Sequence, residues 1–381
     1  MKYLVRHFAM ALSMAALFAS SVGVQAQESE ARLISFDVPG AGAGANQGTG
    51  CFGCTFAING AGFVVGTATD ASNSSYGFLR SPDGKFVSFQ APGAYTAYGT
   101  FAQGINDAGV ITGFYYDGSG VSHGFVRSPE GVFSSFDAPG AVNGTTPLFI
   151  GRNGDVVGYA LDANLLFHAF LRRADGRVLA FVGPNSCTTG TPAGCYGNEA
   201  TFVDGSGRAF GNFTDNSGNL VGHGMIRSPE GHIAVFDAPG AGAGFFQGTG
   251  CPGCNFGVNR WGAIAGIFTD ASGAFHTFVR GPEGRFVTVD VPGAGSGAYQ
   301  GTGCFSDCPV GLNDNGELTG SFQDAAYVQH GFVRGPSGSI STFDPTGSIA
   351  TQPESINNSG TIVGYYVDAV GAYHGFLRIK D

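Results

Sequence analysis

TFAQGINDAGVITGFYYDGSGVSHGFVRSPEGVFSSFDAPGA, residues 100–141, holds four short runs of strand-forming residues separated by turn signals. Asn106-Asp107-Ala108-Gly109 and Ser128-Pro129-Glu130-Gly131 carry the residues that tight hairpins need. The runs FAQGIN, VITGFYYD, SHGFVRS and VFSSFDA therefore read as strands A, B, C and D of one antiparallel meander. The first turn has counterparts at Asn59, Gly151, Asp204, Asn259, Asn313 and Asn357, 44–55 residues apart. The H-x-F-x-R element at His123 and Arg127 recurs at Tyr76/Arg80, His168/Arg172, His223/Arg227, His276/Arg280, His330/Arg334 and His374/Arg378. Seven units of four strands, repeated radially, predict an all-β, seven-bladed β-propeller.

The chain ends fit closure of such a ring. The seventh unit stops after its C strand, at YHGFLRIKD, and a D-type strand stands alone at the other end, RLISFDVPGA, residues 32–41. Pairing the two removes an exposed edge. The domain is therefore placed at 32–381, after a short linker at 27–31. Residues 1–26 read as a secretory signal, with Lys2 and Arg6 before an apolar stretch and a small-residue cleavage site at Val24-Gln25-Ala26. Composition agrees with strands and turns: 66 Gly and 34 Phe among 381 residues, with only 12% charged. Without the signal's two cations the balance is 16 basic against 28 acidic residues, −12, which disfavours nucleic acid and anionic membranes as partners. Beyond the signal, no stretch is long and apolar enough to span a bilayer. The expected location is secreted or periplasmic, and the expected state a monomer.

The HGF..R units, with His168-Ala169-Phe170 spelled out once, resemble the HAF family of bacterial extracellular repeats. The resemblance implies a secreted repeat protein and brings no catalytic residues with it. Tyr76 and Thr277 depart from the pattern.

QGTGCFGC (47–54), QGTGCPGC (247–254) and QGTGCFSDC (300–308) each combine a glycine-rich loop with a cysteine pair. A dinucleotide fingerprint would need a following helix, and strand-like TFAING follows instead. A redox CxxC would need a helix N-terminus to lower its thiol pKa. A four-thiolate metal site would need pairs from distant units to meet. Local disulfides 51–54, 187–195, 251–254 and 304–308 are the preferred reading in an exported chain. All eight cysteines then lie in D–A connections on one face of the disc, which also carries the B–C loops; A–B and C–D turns form the other.

Asp117 and its equivalents Asp70, Asp162, Asp215, Asp270, Asp324 and Asp368 accompany the repeated histidines. Strand-D acids Asp37, Asp137, Asp237, Asp290 and Asp344 complete the groups. Sevenfold repetition favours a hydrogen-bond network over catalysis, since one active site needs one copy of its acid and base. Tyr76 with Gln90, and His168 with Val182, break the set. The DGSG and DASG stretches at Asp117 and Asp270 are oxygen-rich enough that one could hold a calcium ion; no other cofactor or metal is expected.

Function is sought where the repeat breaks on the loop face: Tyr95, Tyr98, Tyr196, Glu199, Phe245, Phe246 and Tyr299, with Gln47, Gln247 and Gln300. Aromatics and amides suit a sugar or a protein surface. His232, Arg260 and Trp261 fall on the opposite face and read as structural or solvated. The leading expectation is a binding or scaffold module for an extracellular glycan or protein. The alternative is a carbohydrate-active enzyme, lyase or hydrolase, at the central opening, with Glu199, Tyr196 and Tyr299 as first suspects.

Overall fold

The computed structural model describes residues 31–187, 195–251, 253–304 and 308–380. The signal segment and most of the proposed linker lie outside the described residues. Among the described residues there is no helix, and the fold is an all-β propeller.

Thr100–Ile105, Ile111–Tyr116, Ser122–Arg127 and Phe133–Phe136 pair in order and antiparallel, as the hairpin turns require. The same succession runs from Ala57–Ile58 to Phe86–Phe89, from Gly144–Ile150 to Val178–Phe181 and from Asn198–Val203 to Ile233–Phe236. It continues from Gly257–Val258 to Phe286–Val289 and from Gly311–Leu312 to Ile340–Phe343. In the last set, Ser348–Ile356, Ile362–Asp368 and Tyr373–Lys380 receive their fourth strand from Ala31–Phe36, in register Ala31↔Lys380 through Phe36↔Gly375. That strand starts at Ala31, one residue earlier than the sequence boundary.

The phenylalanine of H-x-F fills the space between neighbouring sets. Phe78, Phe125, Phe170, Phe278, Phe332 and Phe376 are fully buried, each contributing about 1.5–3 kcal/mol by leaving water. The repeated arginine then reaches back to the strand-D phenylalanine of the preceding set. Guanidinium carbons lie 5.1 Å from the Phe36 ring for Arg80, 4.9 Å from Phe89 for Arg127 and 5.2 Å from Phe236 for Arg280. Arg172, Arg227 and Arg378 make the same contact with Phe136, Phe181 and Phe343. These cation–π contacts are mortar between sheets. Arg80 on Phe36 ties the first set to the last. Arg334 differs because Val289 stands where the preceding set would carry the ring.

At the turn end a second seam is built from asparagine. Asn59 Nδ2 donates to the Asn106 carbonyl (3.1 Å), Asn106 to Gly151 (3.2 Å), Asn259 to Asn313 (3.4 Å), Asn313 to Asn357 (2.9 Å) and Asn357 back to Asn59 (3.2 Å). Each Asn Oδ1 meanwhile accepts backbone N–H groups of its own turn. Gly151 and Asp204 have no such donor. On either side of the 198–236 set arginines take over: Arg173, held by Asp155 at 2.8 Å, lies against Gly207, and Arg208, held by Asp204 at 2.7 Å, lies against Gly262. The innermost strands enclose a channel of about 530 Å³, lined among others by Ala57, Phe149, Phe202, Gly257, Gly311 and Ser355.

Candidate functional site

On the loop face the QGTG stretch is a knot. Gly48 adopts φ 119°, and a Cβ there would run into the Tyr373 carbonyl of the preceding set, which pairs with Gly48 directly. Thr49 Oγ1 accepts from the Val38 amide at 2.8 Å, capping the strand just ended. Gln47 Oε1 accepts from Gly44 N at 3.2 Å, while its Nε2 donates to the Ala71 carbonyl at 3.2 Å. Gln247 and Gln300 repeat both bonds with Gly244/Ala271 and Gly297/Ala325. The three glutamines therefore fasten one loop to the next rather than face a ligand. Disulfides join Cys51–Cys54, Cys187–Cys195, Cys251–Cys254 and Cys304–Cys308. Three of them staple these same connections, and Cys187–Cys195 lies in the connection into the 198–236 set.

Glu199 lies beneath the surface, 2% exposed. Its carboxylate accepts from Asn212 Nδ2 at 2.8 Å and from the Gly253 amide at 3.0 Å, pinning the disulfide loop of the following set. The aromatic candidates do not converge on one point. Tyr95 and Tyr98 pair at 5.6 Å between ring centroids, and Tyr299 packs 6.3 Å from Phe275. Tyr196, Phe246 and Phe245 form a third group, with Tyr196–Phe246 at 5.9 Å and Phe246–Phe245 at 4.3 Å. Partial burial raises the Tyr196 hydroxyl pKa above its ordinary value. Tyr196 and Phe246 line a notch of about 50 Å³ between the 198–236 and 257–289 sets, together with Asn212, Thr214 and Gly250. It admits a methyl or hydroxymethyl group.

Phe246 and Tyr299 adopt left-handed backbone, φ 57° and 62°, at the loop position where the 57–89 set carries Asn46, φ 61°. Asparagine tolerates this region and phenylalanine does not, at a cost of roughly 1–2 kcal/mol. The 59% exposure of Phe245 and 56% of Tyr299 show that these loops present aromatics rather than hide them. Backbone strain was the signal that sequence reading could not see.

The histidines are clamped. His223 Nδ1 lies 2.8 Å from Asp237 and Nε2 3.7 Å from Asp215; His330 lies 2.7 Å from Asp344 and 3.5 Å from Asp324. Hydrogen bonding to the strand-D carboxylate raises both imidazole pKa values. His123, His276 and His374 repeat the geometry, the last with Asp37 of the closing strand at 2.9 Å. His168 keeps only Asp162, at 3.1 Å, since Val182 replaces the second acid. Tyr76 and Gln90 turn to separate backbone carbonyls, Pro39 and Ser75. Asp117 and Asp270 each cap two backbone amides with Oδ1 and face histidine with Oδ2. Both oxygens of each acid are thus engaged within the protein.

No protein-family model matches this sequence, and no curated protein matches it. The BP39L lectin of Burkholderia pseudomallei is similar in structure at 8% identity, TM-score 0.52, covering 86% of this chain and 96% of that one. A puromycin hydrolase S511A mutant complexed with PGG is similar at 12% identity and TM-score 0.53, over 82% of this chain and half of the other. A fungal lectin of Aleuria aurantia, described as a six-bladed β-propeller, aligns more loosely, at 12% identity and TM-score 0.43 over 78% of this chain and 99% of that one. At these identities the likeness is one of fold, and the chain is a β-propeller.

Proposed function

We propose that this protein is an exported, seven-bladed propeller of the HAF type that binds carbohydrate on its stapled loop face. Seven successive four-stranded sets and an asparagine seam that returns to Asn59 support the ring. Four disulfides support an oxidising compartment. The ligand site is the notch at Tyr196, Phe245 and Phe246. The observation that carries this reading is Phe246, a partly exposed aromatic kept at a left-handed position that asparagine would fill without strain. Strain at an exposed aromatic is retained where the ring has work beyond stability. Sugar rings present flat C–H faces that stack on such aromatics, and the small notch beside them selects one substituent. The lectin likeness supports the class of ligand. Isothermal titration of the oxidised protein against neutral oligosaccharides tests it: wild type binds at least one, and Tyr196→Ala weakens it about tenfold. Absence of binding across the panel, or unchanged affinity in the variant, would refute the site.

A further inference from the structure

We propose a second site, on the opposite face: the turn-side mouth of the channel binds a carboxylate-bearing saccharide through Arg152, Arg208, Arg260 and Trp261. The reading does not rest on the loop-face site. Outside the repeated arginine, the guanidinium groups of the domain are concentrated between residues 152 and 285, at Arg152, Arg173, Arg177, Arg208, Arg260 and Arg285, all in or beside turns of one face. In a chain of net charge −10 this stretch is close to neutral, with nine arginines against ten acids.

Three of them, Arg152, Arg208 and Arg260, line the channel itself. Each has an acid beside it; the acids beside Arg208 and Arg260 sit lower, while Asp107 beside Arg152 is itself 52% exposed. Side-chain exposure is 58% for Arg260 against 12% for Asp314, and 43% for Arg208 against 12% for Asp204. Arg152 is 69% exposed, 3.6 Å from Asp107. Arg208 and Arg260 meet their acids through Nε, at 2.7 and 3.7 Å. Their terminal nitrogens meet no hydrogen-bond acceptor among the described residues, although the Arg208 fork packs against Gly262 and the Arg260 fork lies over Trp261. That geometry matches a carboxylate.

Trp261 supplies the second element. It is the only tryptophan of the chain and is 62% exposed, where equivalent turns carry Ala61, Ala108, Asn153, Ser206, Asn315 and Ser359. Its Nε1 donates to the Asp314 carbonyl at 3.0 Å, and Arg260 stacks 4.4 Å from the ring. The indole is therefore fixed, exposed and next to a cation. A fixed aromatic plane beside free guanidinium donors fits a sugar that carries a carboxylate, and the channel volume admits one or two such rings.

Because Trp261 is the lone tryptophan, its emission reports this mouth alone. In low salt, trigalacturonate should change that emission saturably, while a neutral trisaccharide of the same length should not. Arg208→Ala and Arg152→Ala should each weaken the response about tenfold, and Tyr196→Ala should leave it unchanged. Arg152, at the surface, keeps the test valid if the Arg208 variant folds poorly. No saturable change with trigalacturonate, an equal response to the neutral sugar, or full affinity in Arg152→Ala would overturn the proposal.

Discussion

The arc running from residue 257 through the chain closure to residue 136 and the 198–236 set are built from one repeat but held differently. Along the arc, asparagine joins turn to turn, whereas the arginine-on-phenylalanine contact and the histidine clamp are shared with the 198–236 set through Arg227 and His223. Around the 198–236 set, the turn seam passes to Asp155–Arg173 and Asp204–Arg208, the H-x-F phenylalanine becomes Met225, and Glu199 anchors a neighbouring loop. Both proposed sites flank this set, one at each end. A polar residue that recurs in every unit is engaged in joining units; a residue that departs from the repeat either rebuilds that joint, as Glu199 does, or marks one of the proposed sites.

That contrast can be broken most forcefully in the core. Phe332→Ala, in the regular arc, should cost about 3–5 kcal/mol, read from urea denaturation. Met225→Ala should cost less, since a flexible thioether leaves a smaller void. Equal losses would mean that the two regions are packed alike.

The seams give a smaller effect. Asn106→Asp keeps the Oδ1 bonds to Ala108 and Val110 but removes the donor to Gly151, and should cost about 1–3 kcal/mol. Asp204→Asn should change stability by less, because it adds a donor facing the next set while losing the Arg208 pair. A neutral Asn106→Asp would show that the asparagine seam is decorative.

The histidine clamps give the smallest effect. The folded imidazole pKa values of His223 and His330 stand above the ordinary value of about 6.5. Their contribution is fully present below that value and fades as pH rises through the folded pKa. Stability should therefore decline gently above about pH 6.5, and the His223→Gln/His330→Gln double variant should flatten that decline. A decline of the same size in the variant would place its cause elsewhere.

Much of this plan could be read from the chain. The strand succession, the borrowed fourth strand and the local disulfides all follow from a period and its leftovers, because each repeat must bury its face against the next. The candidate site was legible only in part. Tyr196, Phe245 and Phe246 were recognised as departures from the repeat, but Glu199 looked like a loop residue. Its register opposite Asn212, which turns it inward, depends on where the strand begins. The QGTG glutamines looked like free amides because their partners lie 24–25 residues away, in the second loop of the set that each stretch leads into. Trp261 looked merely solvated, since nothing in a linear reading shows an indole tied to the Asp314 carbonyl.

One variant addresses the central claim, that strain at Phe246 is kept for binding. Phe246→Asn relieves the left-handed backbone while removing the ring, so thermal unfolding and carbohydrate titration on one sample should move in opposite directions. The account predicts equal or higher stability, by up to about 1 kcal/mol, with affinity for the neutral oligosaccharide lost. Lower stability with affinity intact would contradict it.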